Sequence, residues 1–276
     1  MKKLIVYIYH KIPAKTRDKI GKNKLLKWLR DYILRKDGVY REAKVNVTRT
    51  YQDFVVNFDY FASIKGASKA QHKGVENKML NNSISLLKKR TGTNDCVIFD
   101  VGANFGYLTL VWARSLSKYG KVIAFEPNAN VNKTLSKSIR ANVLENTVRL
   151  EQLAVGSEEK EIELFLENTT SNVVESDNSG SSIKLQMTSI DKYISNHNVS
   201  RCDLIKIDVD GIELDILNGS VNALEEFQPI YIVETNDDHK IIDFFKQKNY
   251  TVLDATLNPY KDGEKLPPNI FCVPNN

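Results

Sequence analysis

The feature that most constrains the fold is a regular alternation, beginning at residue 97, of short apolar runs with stretches of helical periodicity. Such alternation is typical of βαβ units and predicts a largely parallel sheet with helices packed on it. Open sheets of this kind bind ligands at the carboxyl ends of their strands, so residues that follow a strand are the first candidates for a site. We predict strands at 97–101, 122–125, 148–155, 162–166, 204–207, 230–233, 250–254 and 270–273, and helices at about 107–118, 131–142, 213–226 and 239–248.

Weaker patterns precede and interrupt this alternation. Residues 37–70 alternate weakly between apolar and polar types, which predicts one or two strands. The apolar spacing over residues 75–90 predicts a helix that Gly92 ends. Residues 168–182 are rich in Ser, Asn and Thr and predict a surface loop, which either folds over a bound ligand or remains a solvated insertion.

Charge is distributed unevenly along the chain. Residues 1–36 contain twelve Lys and Arg against two acids, a net charge of +10, so the rest carries −5 of the total of +5. We therefore divide the chain into a basic N-terminal extension, 1–72, and an α/β domain, 73–276. An amphipathic helix is predicted in the extension. It either packs against its own protein, which we favour, or lies on an anionic membrane surface, or holds an anionic substrate. Its apolar face would consist of Leu25, Trp28, Leu29, Tyr32 and Ile33.

Composition narrows the setting in which the chain works. No apolar run approaches the ~20 residues that span a bilayer. The three cysteines are far apart in apolar segments, which is typical of reduced, buried thiols. We expect a cytoplasmic protein, with peripheral contact to the inner face of the membrane through residues 1–36 left open. Nucleic acid is not an expected partner, because the basic residues lack interleaved aromatics and the remainder of the chain is acidic.

A glycine-containing turn follows the first strand of the alternation. Gly102 and Gly106 lie between that strand and the next helix, so backbone N–H groups and a helix N-terminus can face a ligand there. Asp100 closes the strand, and Glu126 closes the next strand, where a carboxylate accepts hydrogen bonds from ribose hydroxyls. Asn104 replaces a glycine that a nicotinamide-binding turn would require. Two acids beside such a turn suit a cationic nucleoside such as S-adenosylmethionine.

Five segments together resemble, in order and spacing, the FkbM-type family of S-adenosylmethionine-dependent methyltransferases. The resemblance covers about residues 72–236 and implies a class I methyltransferase fold, a Rossmann-like mixed α/β sheet of seven strands with helices on both faces. It also implies O-methylation, most often of sugar or polyketide hydroxyls. With a sugar acceptor, the setting that we expect is surface polysaccharide biosynthesis. The family usually has a glutamate where this chain has Asp210. The segments are VIFDVGANFGYLTL (97–110), KVIAFEPN (121–128), LAVG (153–156), DLIKIDVDGIELDILNG (203–219) and IYIVETN (230–236).

The resemblance also implies a cofactor site. Glu126 would bind the ribose, Pro127 and Asn128 would border the adenine, and Ala154 would close that pocket. Glu76 lies in a Gly-x-Glu element that tends to precede the family's core, so it either approaches the ligands or simply begins a helix. The methionine end of the cofactor would be surrounded by Asp100, Gly102, Ala103, Asn104 and Gly106.

Polar residues at the ends of two later strands are the catalytic candidates. A hydroxyl acceptor needs help in losing its proton. Lys206 and Asp208 share one face of an otherwise apolar strand. We therefore assign Asp208 as the base or as a carboxylate that orients the acceptor, and Lys206 as the residue that tunes the charge and position of Asp208. The alternative is a purely structural ion pair. His239 is an alternative base, or simply begins the next helix. Asp208, Glu234 and Asn236 could bind Mg²⁺, although we do not expect metal dependence by default.

Two other functions fit the same turn. A nicotinamide-dependent oxidoreductase would bind NAD, although Asn104 argues against it. A catalytically silent nucleoside-binding scaffold would bind the cofactor without turnover, although the presence of Lys206 and Asp208 argues against it. The reading that we favour is an O-methyltransferase acting on a small-molecule or glycan acceptor.

Overall fold

A computed structural model of the chain describes residues 2–13, 16, 19–20, 22–23, 28, 32, 34–36, 39–167, 170–172, 182–209 and 211–275. The amphipathic helix predicted near residues 25–33 lies mostly outside these residues, as do most of the loop predicted at 168–182 and the whole of Asp210. Within the described part of the chain, no helix is long and apolar enough to cross a membrane.

A mixed sheet of seven strands forms the centre of the fold. Its order is β14-β15-β13-β12-β5-β6-β7, with β5, β6, β7, β12 and β13 parallel and β15 antiparallel to both neighbours. The sheet is mixed, seven-stranded and Rossmann-like, which confirms the predicted fold class. Its strands are β5 (Val97–Val101), β6 (Lys121–Phe125), β7 (Val148–Glu151), β12 (Leu204–Ile207), β13 (Ile230–Glu234), β14 (Tyr250–Leu253) and β15 (Asn269–Pro274).

Helices cover both faces of this sheet because its strands are apolar on both sides. One face packs against α3 to α5, and the other against α6 to α9, each through a separate hydrophobic cluster. The helices are α1 (Lys2–Lys11), α2 (Ile64–His72), α3 (Asn77–Thr91), α4 (Tyr107–Arg114), α5 (Ala129–Ala141), α6 (Ile190–Asn196), α7 (Glu213–Asn218), α8 (Val221–Phe227) and α9 (Lys240–Gln247).

Smaller strands complete the described structure. The pair β1–β2 and the hairpin β3–β4 precede the main sheet, and a second sheet has the order β10-β9-β11-β8. These strands are β1 (Arg35–Lys36), β2 (Val39–Tyr40), β3 (Glu42–Tyr51), β4 (Phe54–Ser63), β8 (Ala154–Val155), β9 (Lys160–Glu167), β10 (Thr170–Asn172) and β11 (Ser182–Thr188).

The hairpin β3–β4 is tied to helix α5 of the main sheet. Asn142 accepts a hydrogen bond from the Asp59 N–H at 2.9 Å and donates one to the Asp59 carbonyl at 2.7 Å, and Ser138 Oγ accepts from the Phe61 N–H at 3.0 Å. Residues of the hairpin and of the main sheet share one hydrophobic cluster. The division at residue 72 therefore stays a prediction about domains, while the packing across it is continuous.

Three elements of the predicted alternation differ from the observed ones. In addition, β10 lies within the loop predicted at 168–182, and α2 begins within the strand region predicted at 37–70. The helix expected at 107–118 ends at Arg114, since the Leu116 carbonyl accepts a hydrogen bond from the Cys96 N–H at 3.0 Å instead of continuing the helix. The strand expected at 148–155 divides into β7 and β8, which belong to different sheets. The helix expected at 213–226 divides into α7 and α8 around Gly219, where a Cβ would lie 2.3 Å from the Gly156 carbonyl oxygen.

Candidate active site

The turn after β5 brings two strand ends into close contact. Gly102 has φ of +75°, and a Cβ there would lie 2.0 Å from the carbonyl oxygen of Asp208, at the end of β12. Any other residue would be strained at this φ and would push the two strands apart. Asn104 has φ of 52°, which asparagine tolerates better than most residues, so no second glycine is required at that position. The turn therefore holds its backbone against the end of β12.

Glu126, at the end of β6, lies under this turn. Its carboxylate accepts hydrogen bonds from the N–H groups of Asn104, at 2.8 Å, and Asn128, at 2.9 Å. Its side chain is only 7% exposed. Burial raises the pKa of Glu126 to about 7, although the two backbone N–H groups and Lys206 act in the opposite direction. Glu126 is therefore positioned by the turn itself and titrates near neutral pH.

Asp100 and Lys206 form a buried pair between β5 and β12. Asp100 is fully buried, and one of its oxygens accepts a hydrogen bond from Thr109 Oγ1 at 2.5 Å. The other oxygen lies 3.3 Å from Lys206 Nζ but accepts no hydrogen bond from the residues that the structure describes. Nζ donates instead to the carbonyls of Gly102, at 2.8 Å, and Val101, at 3.1 Å. One Asp100 oxygen is thus left to accept a hydrogen bond from a ligand.

Lys206 is charged despite its burial. Burial alone would lower the pKa of its ammonium group, but the carboxylates of Asp100 and Asp208 outweigh burial and raise that pKa. Asp208 Oδ2 lies 3.6 Å from Nζ, and the Asp208 side chain is 43% exposed. Lys206 therefore links a buried carboxylate to one that solvent and substrates can reach.

A cluster of acids surrounds Asp208 at the ends of β12 and β13. Burial, followed by the charge of Asp208 and a hydrogen bond with it, raises the pKa of Glu234 to about 7. Glu213 accepts hydrogen bonds from the Val209 N–H at 3.3 Å and from Asn236 Nδ2 at 2.8 Å. Glu234 thus holds a proton close to neutral pH.

The same cluster contains the residues predicted to bind Mg²⁺. Asn236 Nδ2 donates to Glu213 and lies 3.4 Å from Glu234 Oε2, so its amide is engaged within the cluster. In the described ranges of the chain, no group of three or more His, Cys, Asp or Glu residues has an arrangement that could hold a metal ion. Metal binding by Asp208, Glu234 and Asn236 stays a prediction.

A half-open cavity of about 580 Å³ joins these features. Its sheet side is formed by Asp100, by the turn from Gly102 to Gly106 with the first two residues of α4, and by Lys206 and Asp208. This size falls in the range of small-molecule sites. The turn, the buried acid and the candidate base thus face one cavity.

The opposite wall of the cavity comes from residues that the sequence did not mark as functional. Helix α2 is capped by Ser63, whose Oγ accepts from the Gly66 N–H at 3.1 Å, and it lies across the opening with His10 from α1. The sequence contained two signals for this helix, a serine three residues before its capped N–H and lysines at positions 65, 69 and 73. The wall residues are His10, Ser63, Lys65, Gly66, Ser68, Lys69, Lys73, Val75 and Glu76, with Tyr60 from β4.

Seven predicted site residues do not line this cavity. Glu126 lies beneath the turn, and Glu234 and Asn236 lie in the acid cluster near the end of β13. The other four are Pro127, Asn128, Ala154 and His239. Asn128 is buried, and its side chain accepts hydrogen bonds from backbone N–H groups at the start of α5. Half-buried Pro127 precedes it, and Ala154 is buried in β8, paired with Met187 of the second sheet. His239 is exposed at the start of α9. Their roles toward a cofactor or acceptor stay predictions.

Comparison with known proteins relates the chain to methyltransferases. The family model described as the methyltransferase FkbM domain matches residues 100–252, more than half of the chain. The hexuronic acid methyltransferase AglP of Haloferax volcanii is 27% identical over 131 residues, which are 48% of this chain and 52% of AglP. The match thus spans about half the length of that relative.

Solved structures of methyltransferases also align with the chain. A methyltransferase FkbM from Methylobacillus flagellatus KT aligns with a TM-score of 0.47 and 14% identity, over 76% of this chain and 54% of that chain. A SAM-dependent methyltransferase from Agrobacterium tumefaciens aligns with a TM-score of 0.45 and 12% identity, over 83% and 69% of the two chains.

Proposed function

This chain belongs to the FkbM methyltransferase family, and from that premise we propose that it transfers a methyl group from S-adenosylmethionine to a hydroxyl of a sugar or other small-molecule acceptor. The observation that carries the proposal is the single cavity onto which the glycine turn, Asp100 and Asp208 all open. When bound, S-adenosylmethionine supplies an electrophilic methyl group on a sulfonium centre.

The residues of the turn suit this cofactor. The Asp100 oxygen that is ion-paired with Lys206 at 3.3 Å accepts no hydrogen bond from the described residues, so it can accept one from the ammonium group of the methionine end. Glu126 can accept hydrogen bonds from the two ribose hydroxyls, since its carboxylate lies at the carboxyl end of the neighbouring strand. The close approach of the turn to the end of β12 leaves no space at Gly102 for a side chain, so the backbone itself forms the floor of the site. These contacts would orient the methyl group toward the acceptor side of the cavity.

Asp208 is the group best placed to take the proton of the acceptor. It lines the cavity, is partly exposed and lies 3.6 Å from Lys206 Nζ. Asp208 would accept the hydroxyl proton of the acceptor while S-adenosylmethionine, when bound, would supply the methyl group and leave as S-adenosylhomocysteine. Lys206 holds Asp208 near the end of β12, in position to act as the general base. Alignment within the cavity supplies the remaining gain in rate.

The sugar acceptor is supported by one relative. AglP is by its name a hexuronic acid methyltransferase, and its 27% identity covers half of its length. The acceptor wall of this chain, helix α2, lies outside the residues 100–252 that match the family model. We therefore propose a sugar as the class of acceptor, and a panel of sugars tests which one is methylated.

Calorimetry with the full chain tests the proposal. We expect S-adenosylmethionine and S-adenosylhomocysteine to bind with micromolar affinity, and NAD⁺ not to bind. Asp100→Asn and Glu126→Ala should each weaken binding at least about tenfold, since each removes a charged hydrogen-bond partner. Lys89→Gln, on an exposed part of α3, is the matched control and should bind as the unaltered chain does. Binding of NAD⁺ in place of S-adenosylmethionine by the folded chain would refute the proposal.

Transfer is then measured with radiolabelled methyl groups on a panel of sugar acceptors. Asp208→Asn should lower turnover while leaving the affinity for S-adenosylhomocysteine within about twofold, because the substitution keeps the shape of the side chain and removes its proton-accepting charge. Equal loss of cofactor affinity and turnover would show that Asp208 acts in binding, and would contradict the role assigned to it.

A further inference from the structure

Helix α2 presents a row of lysines to the cavity. Lys65 and Lys69 are spaced four residues apart, which places them on one face of the helix. Lys73, the C-cap residue, follows at the same spacing, and all three line the cavity. At 1.5 Å per residue the row extends for about 12 Å along the opening. The three side chains are exposed, so a ligand within the cavity can reach their ammonium groups. A positively charged wall thus faces the glycine turn.

The charge of this wall is only partly neutralised. Lys69 lies 3.3 Å from Glu76, in an exposed ion pair. For Lys65 and Lys73, no carboxylate lies within ion-pair distance among the residues that the structure places. The acids on the sheet side, Asp100 and Asp208, are already associated with Lys206. Two positive charges of the cavity are therefore left for a ligand to neutralise.

The wall is held in place by the packing beneath it. Ala67 and Ala70 of α2 are fully buried on the opposite face of the helix, and Ser63 caps its first turn. A Cβ at Gly66 would lie 3.8 Å from Phe105 of the glycine turn, so the start of α2 packs directly on that turn. The lysines thus extend from a rigid element at a fixed distance from the cofactor site, as recognition of a charged group requires.

We infer that Lys65 and Lys73 bind an anionic group of the acceptor, a carboxylate or a phosphate, while the acceptor presents its hydroxyl to the cofactor. This inference rests on the proposed function and names the chemical class of its substrate. A charged group between two ammonium groups gains charge-assisted hydrogen bonds that a neutral sugar cannot make. The lysine row therefore selects acidic acceptors over neutral ones of the same size.

Three probes of matched size test the inference. Methyl glucuronide carries a carboxylate, glucose 6-phosphate carries a phosphate, and methyl glucoside is neutral. Each is titrated by calorimetry into the full chain saturated with S-adenosylhomocysteine. We expect at least one charged probe to bind about tenfold more tightly than the neutral one, and its affinity to fall as salt is raised. The charged probe that binds more tightly identifies the anionic group.

Substitution of the lysines locates the effect. In the double variant Lys65→Gln with Lys73→Gln, the affinity for the charged probe should fall to the affinity for the neutral one. The affinity for S-adenosylhomocysteine should stay within about twofold of its original value. Both positions are exposed, so the fold should be retained. Lys89→Gln removes the same charge away from the cavity and should change neither affinity.

Several results would overturn the inference. Equal affinity for charged and neutral probes, or no binding of either charged probe to the unaltered chain, would do so. Equal loss of S-adenosylhomocysteine and probe binding in the double variant would assign the lysines to the carboxylate of the cofactor instead. If the unaltered chain binds no S-adenosylhomocysteine at all, the proposed function itself is refuted, and that outcome is separate from a failure of charge preference in a chain that does bind it.

Discussion

Replacing Lys206 with methionine is expected to lower the free energy of unfolding by about 3–5 kcal/mol, because it removes one partner of a buried pair and leaves the other charge in place. Asp100 is fully buried and would lose the only ammonium group in contact with it among the described residues. The carbonyls of Gly102 and Val101 would lose hydrogen bonds of 2.8 and 3.1 Å. Methionine fills a similar volume, so the loss of unfolding free energy comes mainly from lost charge and hydrogen-bond interactions and not from a cavity.

Urea denaturation and thermal unfolding measure this cost. For a chain of this size each kcal/mol corresponds to roughly 2 °C, so the melting temperature should fall by roughly 6–10 °C. Lys89→Met, at an exposed position, is the matched control and should change the free energy of unfolding by less than about 0.5 kcal/mol.

A second variant separates charge from packing. Asp100→Asn combined with Lys206→Met removes both charges, while an amide oxygen can still accept from Thr109. We expect the double variant to regain at least roughly half of the lost stability, since an apolar or neutral replacement of a whole buried pair is often close to neutral. Two results would refute a stabilising buried pair. One is a loss of unfolding free energy below about 1 kcal/mol in Lys206→Met. The other is a loss in the double variant that equals the sum of the losses in Lys206→Met and Asp100→Asn.

Two further predictions concern the cofactor side. Gly102→Ala should abolish S-adenosylhomocysteine binding or prevent folding, because its Cβ would lie 2.0 Å from the Asp208 carbonyl oxygen. The control is Gly92→Ala, which has a similar φ of +69° and no atom within 4 Å of its Cβ, and should lower the free energy of unfolding in urea by only about 1–2 kcal/mol. Equal losses of stability in the two variants would contradict the contact. Burial raises the pKa of Glu126 from 4.5 to about 7, so the stability that this residue contributes is full below pH 4.5 and is lost as pH rises through 7. Because the carboxylate ionises over the same range, calorimetry should show S-adenosylhomocysteine binding about tenfold more tightly at pH 8 than at pH 6. An affinity independent of pH would argue against ribose binding by Glu126.

The central strands could be predicted from the sequence because burial on both faces makes each of them a continuous apolar run. The strands expected at 97–101 and 204–207 coincide with β5 and β12. Lys206 was recognisable for the same reason, as a charge inside such a run. The placement of Asp100 against Lys206 was not, because residues 106 apart in the chain meet only when the register of β5 and β12 is known.

Helix α2 was not predicted because its apolar pattern is weak, although the serine at its start and its lysine spacing were signals for it. Its buried residues are Ile64, Ala67, Ser68 and Ala70, mostly small side chains that give weak helical periodicity, and Gly66 lies among them. Small residues are required here because the helix packs closely on the glycine turn. The close approach that makes α2 a wall of the cavity is thus the reason that the apolar pattern of the helix is weak.

The two sides of the cavity therefore differ in how well they tolerate substitution. The sheet side is fixed by close backbone contacts, as at Gly102, and by a buried ion pair, so substitution there costs both folding and cofactor binding. The wall of α2 places exposed lysines on a helix whose buried face is separate from them, so Lys65 and Lys73 can be exchanged without disturbing the packing. A chain built in this way can alter the charge of its acceptor by surface substitutions on α2 while its cofactor site stays intact. Replacing both lysines with glutamate should accordingly invert the preference among the three sugar probes toward the neutral one, at unchanged affinity for S-adenosylhomocysteine.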